Sequence, residues 1–143
     1  NYAKEATVTA NETRSAGTGR NFEAENVCNG DSATYWATND GVNKGTITFA
    51  WDEAKPIRYV VLQEHIQLGQ RVKAFSIETS NDGTSWTKRG GNIATTTIGY
   101  KRIIPLNGST SNSYEANPQK VKYLRVNILD SRACPTIENI ELR

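Results

Sequence analysis

Methionine is absent, histidine occurs once, at His65, and cysteine only twice, at Cys28 and Cys134. With one histidine and no Ser/His/Asp or Cys/His pattern, nucleophilic catalysis lacks its parts. Two cysteines allow one bridge or none, and spacing does not choose, so the redox compartment stays open. No apolar run is long enough to span a membrane. No signal-peptide pattern opens the chain, and a first residue of Asn is that expected of a trimmed or excised module. Charge of one sign is scarce too: 17 basic residues face 15 acidic ones, for a formal +2. The basic residues are spread out, in short pairs such as Lys88-Arg89 and Lys101-Arg102. The clustered stripe of a nucleic-acid binder is therefore missing. No segment keeps a helical period over about 11 residues, which leaves no candidate for a helical core.

What remains is a chain of 143 residues, enough for a single domain over residues 1–143 with one sizeable core. Its richness in Thr, Asn, Ser and Gly, beside the missing methionine, fits an extracellular β protein. Ala6 to Ala10 reads as a short β-branched strand. Thr46 to Trp51 alternates, with Ile47, Phe49 and Trp51 on one face. Arg58 to Gln63 is nearly all apolar, as in a strand buried on both faces. Lys73 to Ser80 alternates through Phe75, Ile77 and Thr79. Asn81-Asp82-Gly83 then marks a hairpin turn, with Trp86 opening the return strand. Thr95 to Leu106 holds strand material ending near Pro105. Val121 to Leu129 places Leu124, Val126 and Ile128 inward, and Ile137 to Leu142 is the last strand. Polar loops fill Asn11 to Asn21, Ala37 to Gly45, Glu64 to Arg71, Asn107 to Gln119 and Asp130 to Pro135. About eight short strands at this spacing predict an all-β fold, an eight-stranded antiparallel β-sandwich or jelly roll.

One stretch stands out. Asn26 to Trp36 gathers Asn26, Asn29, Asp31 and Thr34 around Gly30 and runs into Tyr35 and Trp36, the expected start of a core strand. Such a turn aims carbonyl, carboxylate and hydroxyl oxygens inward, as Ca2+ requires, with about 6–8 ligands at roughly 2.3–2.6 Å. A plain loop held by Asx turns is the competing reading. Asn11-Glu12-Thr13 and Asn107-Gly108-Ser109 are glycosylation sequons. The three tryptophans, Trp36, Trp51 and Trp86, read as core residues by their large apolar area.

The run N-x-x-x-G-D-x-x-T-x-W (Asn26 to Trp36), S-N-D-G-T-S-W (Ser80 to Trp86) and I-E-N-I-E-L (Ile137 to Leu142) resemble the discoidin family. That family is also called the F5/8 type C domain, or the family 32 carbohydrate-binding modules. More narrowly, Leu62 to Lys73, Thr96 to Arg102 and Ser131 to Pro135 are similar to the C-terminal β domain of α-L-fucosidases. The resemblance implies a discoidin or galactose-binding-domain-like jelly roll with a structural Ca2+. Its ligands would be the Asn26 carbonyl, Asn29, Asp31, Thr34, the Ile137 carbonyl and Glu138. The family commonly has Asp where Asn29 stands, so one negative charge is gone. The ion would pin the first long loop to the final strand and bring the termini together.

The resemblance also implies sugar binding on loops at one end of the sandwich, where ring faces cover the pyranose C–H patch and polar groups bond its hydroxyls. Galactose-binding relatives use a His after the core Trp, then an Arg and an Asn. Here Thr38 and Asn39 hold the first place, Glu64 and His65 lie near the second, and Gly69-Gln70 near the third. The fucosidase-like candidates are Glu64 to accept paired hydroxyls, Arg71 to donate in a fork and Tyr100 to offer a ring. Arg132 joins them from the Asp130 to Cys134 loop. A salt bridge bracing their own loop is the rival reading of Glu64 and Arg71. His65 has a rival role as a plain hydrogen-bonding residue.

The expected function is non-catalytic: a secreted or cell-surface-attached, monomeric module cut from a larger glycoside hydrolase. It would bind glycans bearing terminal galactose, N-acetylhexosamine or fucose and contact other modules of the parent enzyme, but neither nucleic acid nor membrane. The alternative is a discoidin-type adhesion module for lipid or protein, for which only Ile66 and Leu68 offer exposed apolar loop tips.

Overall fold

The structure, a computed structural model, describes residues 1–16, 20–90, 97–106 and 118–143. Of the expected features, Thr95, Thr96, the Asn107 to Ser109 sequon and nearly all of the polar insertion lie outside these residues.

Among the described residues there are nine strands, three short 3-10 turns and no α-helix. The strands are β1 (Thr7–Ala10), β2 (Trp36–Ala37), β3 (Gly45–Ile57), β4 (Tyr59–Glu64), β5 (Val72–Ser80), β6 (Thr87–Arg89), β7 (Arg102–Pro105), β8 (Gln119–Ser131) and β9 (Thr136–Leu142). They form a five-stranded sheet, β1-β3-β8-β5-β6, facing a four-stranded one, β2-β9-β4-β7. Every pairing is antiparallel. The all-β sandwich is thus as expected, with the two-residue β2 as an additional short edge strand.

Alternation explains the core. Ile47, Phe49 and Trp51 of β3, Phe75 and Ile77 of β5, and Leu124, Val126 and Ile128 of β8 are buried on one side of the space between the sheets. Val60 and Leu62 of β4, with Ile140 and Leu142 of β9, close it from the other. Each such side chain contributes about 1.5–3 kcal/mol by leaving water. Val61 is also buried, as foreseen for a strand covered on both faces. Trp36 and Trp51 are core residues whose indole N–H groups donate to the Glu12 and Tyr2 carbonyls, both at 2.9 Å.

Two expectations need correcting, and the open choice between a bridge and free thiols is decided. Asp130 and Ser131 belong to β8 and not to a loop, because β8 keeps pairing with β5 as far as Ser131↔Val72. Trp86 precedes the return strand: it is half-buried on the sheet surface beneath the Arg125 guanidinium, 4.0 Å from its ring centre. Both cysteines are free thiols, Cys134 buried and Cys28 half-buried.

Strand β9 carries the feature that shapes its surroundings. Asn139 pairs with Gln63, yet Ile137 pairs with Glu64, so Glu138 is an extra, bulged residue. A bulge re-aims a side chain. Here it keeps Ile137 and Ile140 in the core and sends Glu138 outward to Gln63 (2.7 Å) and His65 (2.8 Å). At the far end of β9, the Asn1 side-chain carbonyl accepts the Leu142 amide at 3.0 Å. The chain ends therefore meet, as expected of the termini.

Candidate functional site

The loops at one end of the sandwich enclose a cleft of about 310 Å³. That is near the lower end of ligand pockets, roughly 300–1,000 Å³. Its walls come from four distant segments. Arg14, Arg20 and Phe22 come from the first long loop, Tyr35 and Asp40 flank β2, Leu68 and Arg71 stand on the β4–β5 connection, and Cys134 and Thr136 lead into β9.

Arg71 is the best-anchored of these. Its Nη1 donates to the Cys134 carbonyl at 2.9 Å and lies 3.2 Å from the Cys134 sulfur, while Nε donates to the Leu68 carbonyl at 3.2 Å. Its own carbonyl accepts the Arg132 amide at 2.8 Å. Across the cleft, Arg14 Nη1 donates to Asp40 Oδ1 at 2.8 Å. That bond holds the Asp40 carboxyl below the usual carboxylate range, with Arg71 adding at longer reach. Phe22 lies beneath both Arg14 and Arg20, with guanidinium carbons 5.9 and 5.7 Å from its ring centre. Tyr35 packs on Phe22 at 5.4 Å and stacks on His65 at 4.4 Å. Thr136 is 2 % exposed, and its hydroxyl has no partner among the described residues.

The residues foreseen for sugar binding divide. Arg71 lines the cleft. Glu64 does not: it is fully buried, Oε1 accepts the Arg71 and Val72 amides at 2.8 Å, and Oε2 accepts Gly99 N–H at 2.7 Å. It braces the loop as one reading held, but through backbone amides and not through the Arg71 guanidinium. His65 is buried between Tyr35 and Glu138. Thr38 is buried, its hydroxyl donating to the Val42 carbonyl at 2.6 Å. Asn39 is exposed and accepts the Ser15 amide at 3.0 Å, steadying the first loop. Gln70 lies against Gly99. Tyr100 is 64 % exposed, and neither it nor Arg132 is among the residues lining the cleft. Sequence reasoning missed Arg14, Arg20, Phe22, Tyr35, Asp40 and Thr136. The available signal was two arginines, Arg14 and Arg20, in the polar Asn11 to Asn21 loop.

The six residues foreseen around a cation sit where the early turn meets β9. Asp31 and Glu138 line one cavity of about 310 Å³ together with Gln63 and Glu141. Trp36 pairs with Ile137, so Thr34 lies close by along the chain. Gly30, at φ +82°, turns the loop. Asn26 donates to Tyr35 and Asn21 carbonyls at 3.1 and 3.2 Å. Among the described residues no three His, Cys, Asp or Glu side chains gather to hold a metal. A cation here would rest on carbonyl and hydroxyl oxygens plus the two carboxylates, a donor set that fits hard Ca2+. Both Glu138 oxygens already meet Gln63 and His65, and a second departure is Asn29. Its Oδ1 accepts the Asp31 amide at 2.8 Å, which turns its nitrogen toward the Thr34 hydroxyl, also at 2.8 Å.

Residues 7–140 match the F5/8 type C domain. A candidate alpha-L-fucosidase 1 of Oryza sativa subsp. japonica is 36% identical over 104 residues, 73% of this chain and 19% of that protein. Among solved structures, a candidate alpha-L-fucosidase from Bacteroides thetaiotaomicron superimposes with a TM-score of 0.83 at 28% identity, covering 99% of this chain and 28% of that one. Chitosan-binding module 1 from a chitosanase/glucanase of Paenibacillus sp. IK-5 gives 0.77 at 26% identity, covering 100% and 98%. The chain spans about a fifth of the length of the curated relatives it matches. With its two antiparallel sheets and matching span, the chain belongs to the F5/8 type C domain family, in the β-sandwich form shared with carbohydrate-binding modules and with parts of alpha-L-fucosidases.

Proposed function

We propose that this chain is a non-catalytic module that holds a parent glycoside hydrolase near glycans bearing galactose, N-acetylhexosamine or fucose. The observation that carries the reading is the end cleft. Phe22 and Leu68 offer apolar surface, Arg71 is held by its loop, and the buried Thr136 hydroxyl awaits a partner. A sugar hydroxyl satisfies such a group, and a buried polar group left unpaired penalises the wrong sugar. Hydrolysis needs two carboxylates about 5–9.5 Å apart across the bond. Among the described residues the cleft is lined by one, Asp40, already engaged by Arg14. Affinity is expected in the micromolar to millimolar range, since a small exposed ligand buries little area.

A structural Ca2+ belongs to the same proposal, held by the Asn26 and Ile137 carbonyls, Asp31, Thr34 and Glu138, with Asn29 shaping the turn. When bound it supplies a cross-link between the turn and β9. A secreted or surface-attached monomer is part of this reading.

The test is a glycan array probed with the whole chain and with Arg71→Ala. Binding that the variant loses by tenfold or more supports the site. Binding unchanged in the variant refutes the cleft, and no binding to any glycan refutes the function. Release of nitrophenol from nitrophenyl glycosides would instead indicate an enzyme. One observation favours a lipid-binding alternative: Ile66 and Leu68 are 42 % and 44 % exposed on one turn. Co-sedimentation with liposomes, absent glycan binding, would decide for it.

A further inference from the structure

The cleft carries a charge imbalance that neutral sugar recognition leaves unused. Three guanidinium groups, Arg14, Arg20 and Arg71, line it against the single carboxylate of Asp40. The whole chain has a formal charge of only +2, so an excess of that size is gathered in one loop cluster.

The three arginines are not equivalent. Arg14 is in contact with Asp40 and is largely neutralised. Arg71 donates to two carbonyl oxygens, of Cys134 and Leu68. Neutral acceptors fix its position, and Asp40 acts on its charge only at longer reach. Arg20 is exposed and rests over the Phe22 ring. Among the described residues neither Arg20 nor Arg71 forms an ion pair. With Nε and Nη1 engaged, Arg71 keeps Nη2 to donate to one oxygen of a carboxylate or sulfate. Stacking on an aromatic ring leaves the N–H edge of Arg20 free for the same purpose.

We infer that this cleft selects an anionic pyranoside, with Arg71 and Arg20 flanking its carboxylate or sulfate while Leu68 meets its C–H face. The inference rests on the carbohydrate-binding reading above and specifies its ligand.

The experiment titrates the whole chain with matched sets of a neutral methyl hexoside, its uronate and its 6-sulfate, in galacto and gluco configurations, at 20 and 300 mM NaCl. Expected is at least tenfold tighter binding of a charged sugar than of its neutral match at low salt. That advantage should shrink severalfold at high salt, as screening demands. Arg20→Gln should cut the advantage severalfold with an unchanged melting temperature. Preference for the uronate alone assigns a carboxylate, and for the sulfate ester alone a sulfate. Equal, salt-insensitive binding of all three overturns the inference and leaves carbohydrate binding standing. No binding of these or of any arrayed glycan overturns both.

Discussion

Glu64 Oε2 accepts the amide hydrogen of Gly99 at 2.7 Å, joining the end of β4 to a loop 35 residues further on. Its other oxygen takes the amides of Arg71 and Val72. One fully buried carboxylate thus organises the backbone on which Arg71 stands. Replacing it leaves three backbone donors without an acceptor, at about 1–3 kcal/mol for each buried one. Glu64→Ala is expected to cost roughly 3 kcal/mol or more, read as a lower urea midpoint at unchanged slope. Glu64→Gln should fall between, since its NH2 must face an N–H. A variant as stable as the parent would show that the loops hold without this brace.

Gly45 touches the core tryptophan. A Cβ built there falls 2.8 Å from Cη2 and Cζ2 of Trp36. The ring has nowhere to go, being fully buried and tied to the Glu12 carbonyl. Gly45→Ala therefore overpacks the junction of β2 and β3, at ~1–3 kcal/mol. Thermal unfolding should show Tm lowered by about 3–10 °C.

Cation removal has a measurable signature. If Ca2+ joins the Asn26 to Thr34 turn to β9, EDTA should lower Tm and added Ca2+ restore it. At a hundredfold excess over Kd the gain is about 2.7 kcal/mol. Asp31→Asn should remove most of the calcium-dependent part. An EDTA-insensitive Tm would indicate that the Asn29 amide, bonded to Thr34, holds the turn unaided.

Acid should loosen the β5–β6 turn. The Asp82 carboxylate accepts the Ser85 and Thr84 amides, both at 2.8 Å, and the Ser80 hydroxyl at 2.9 Å. These bonds hold its pKa well below the ordinary 3.8. A depressed folded value means the stabilisation is complete above the unfolded value and is lost as pH falls toward the folded one. The stability difference between the parent and Asp82→Ala should therefore be constant above about pH 5 and shrink below 3.8. Chemical denaturation across that range measures it.

The scaffold was legible where one strand face is buried, because alternation then has a single meaning. Thr46 to Trp51 and Val121 to Leu129 are such runs, and both are strands. Strand β9 hides its register, since the Glu138 bulge spaces its core residues as Ile137, Ile140 and Leu142. Glu64 carried a signal that went unused: it sits two residues past Leu62 and four past Val60, on the same inward face. The cleft was largely illegible. Arg14, Phe22, Asp40, Arg71 and Thr136 meet only because four loops converge at one end, and linear spacing does not record how loops lean. Arg71 alone was found, through its likeness to fucosidases.

Strand β9 runs from Thr136 at the cleft to Leu142 beside Asn1. Seven residues of strand measure about 20 Å. Any polypeptide joined at either extremity would thus emerge about that far from the end cleft, on the side remote from it. On the carbohydrate-binding proposal the cleft would face outward, like a hand at the end of a forearm, and a neighbouring module would not have to vacate it for a bulky polymer to land.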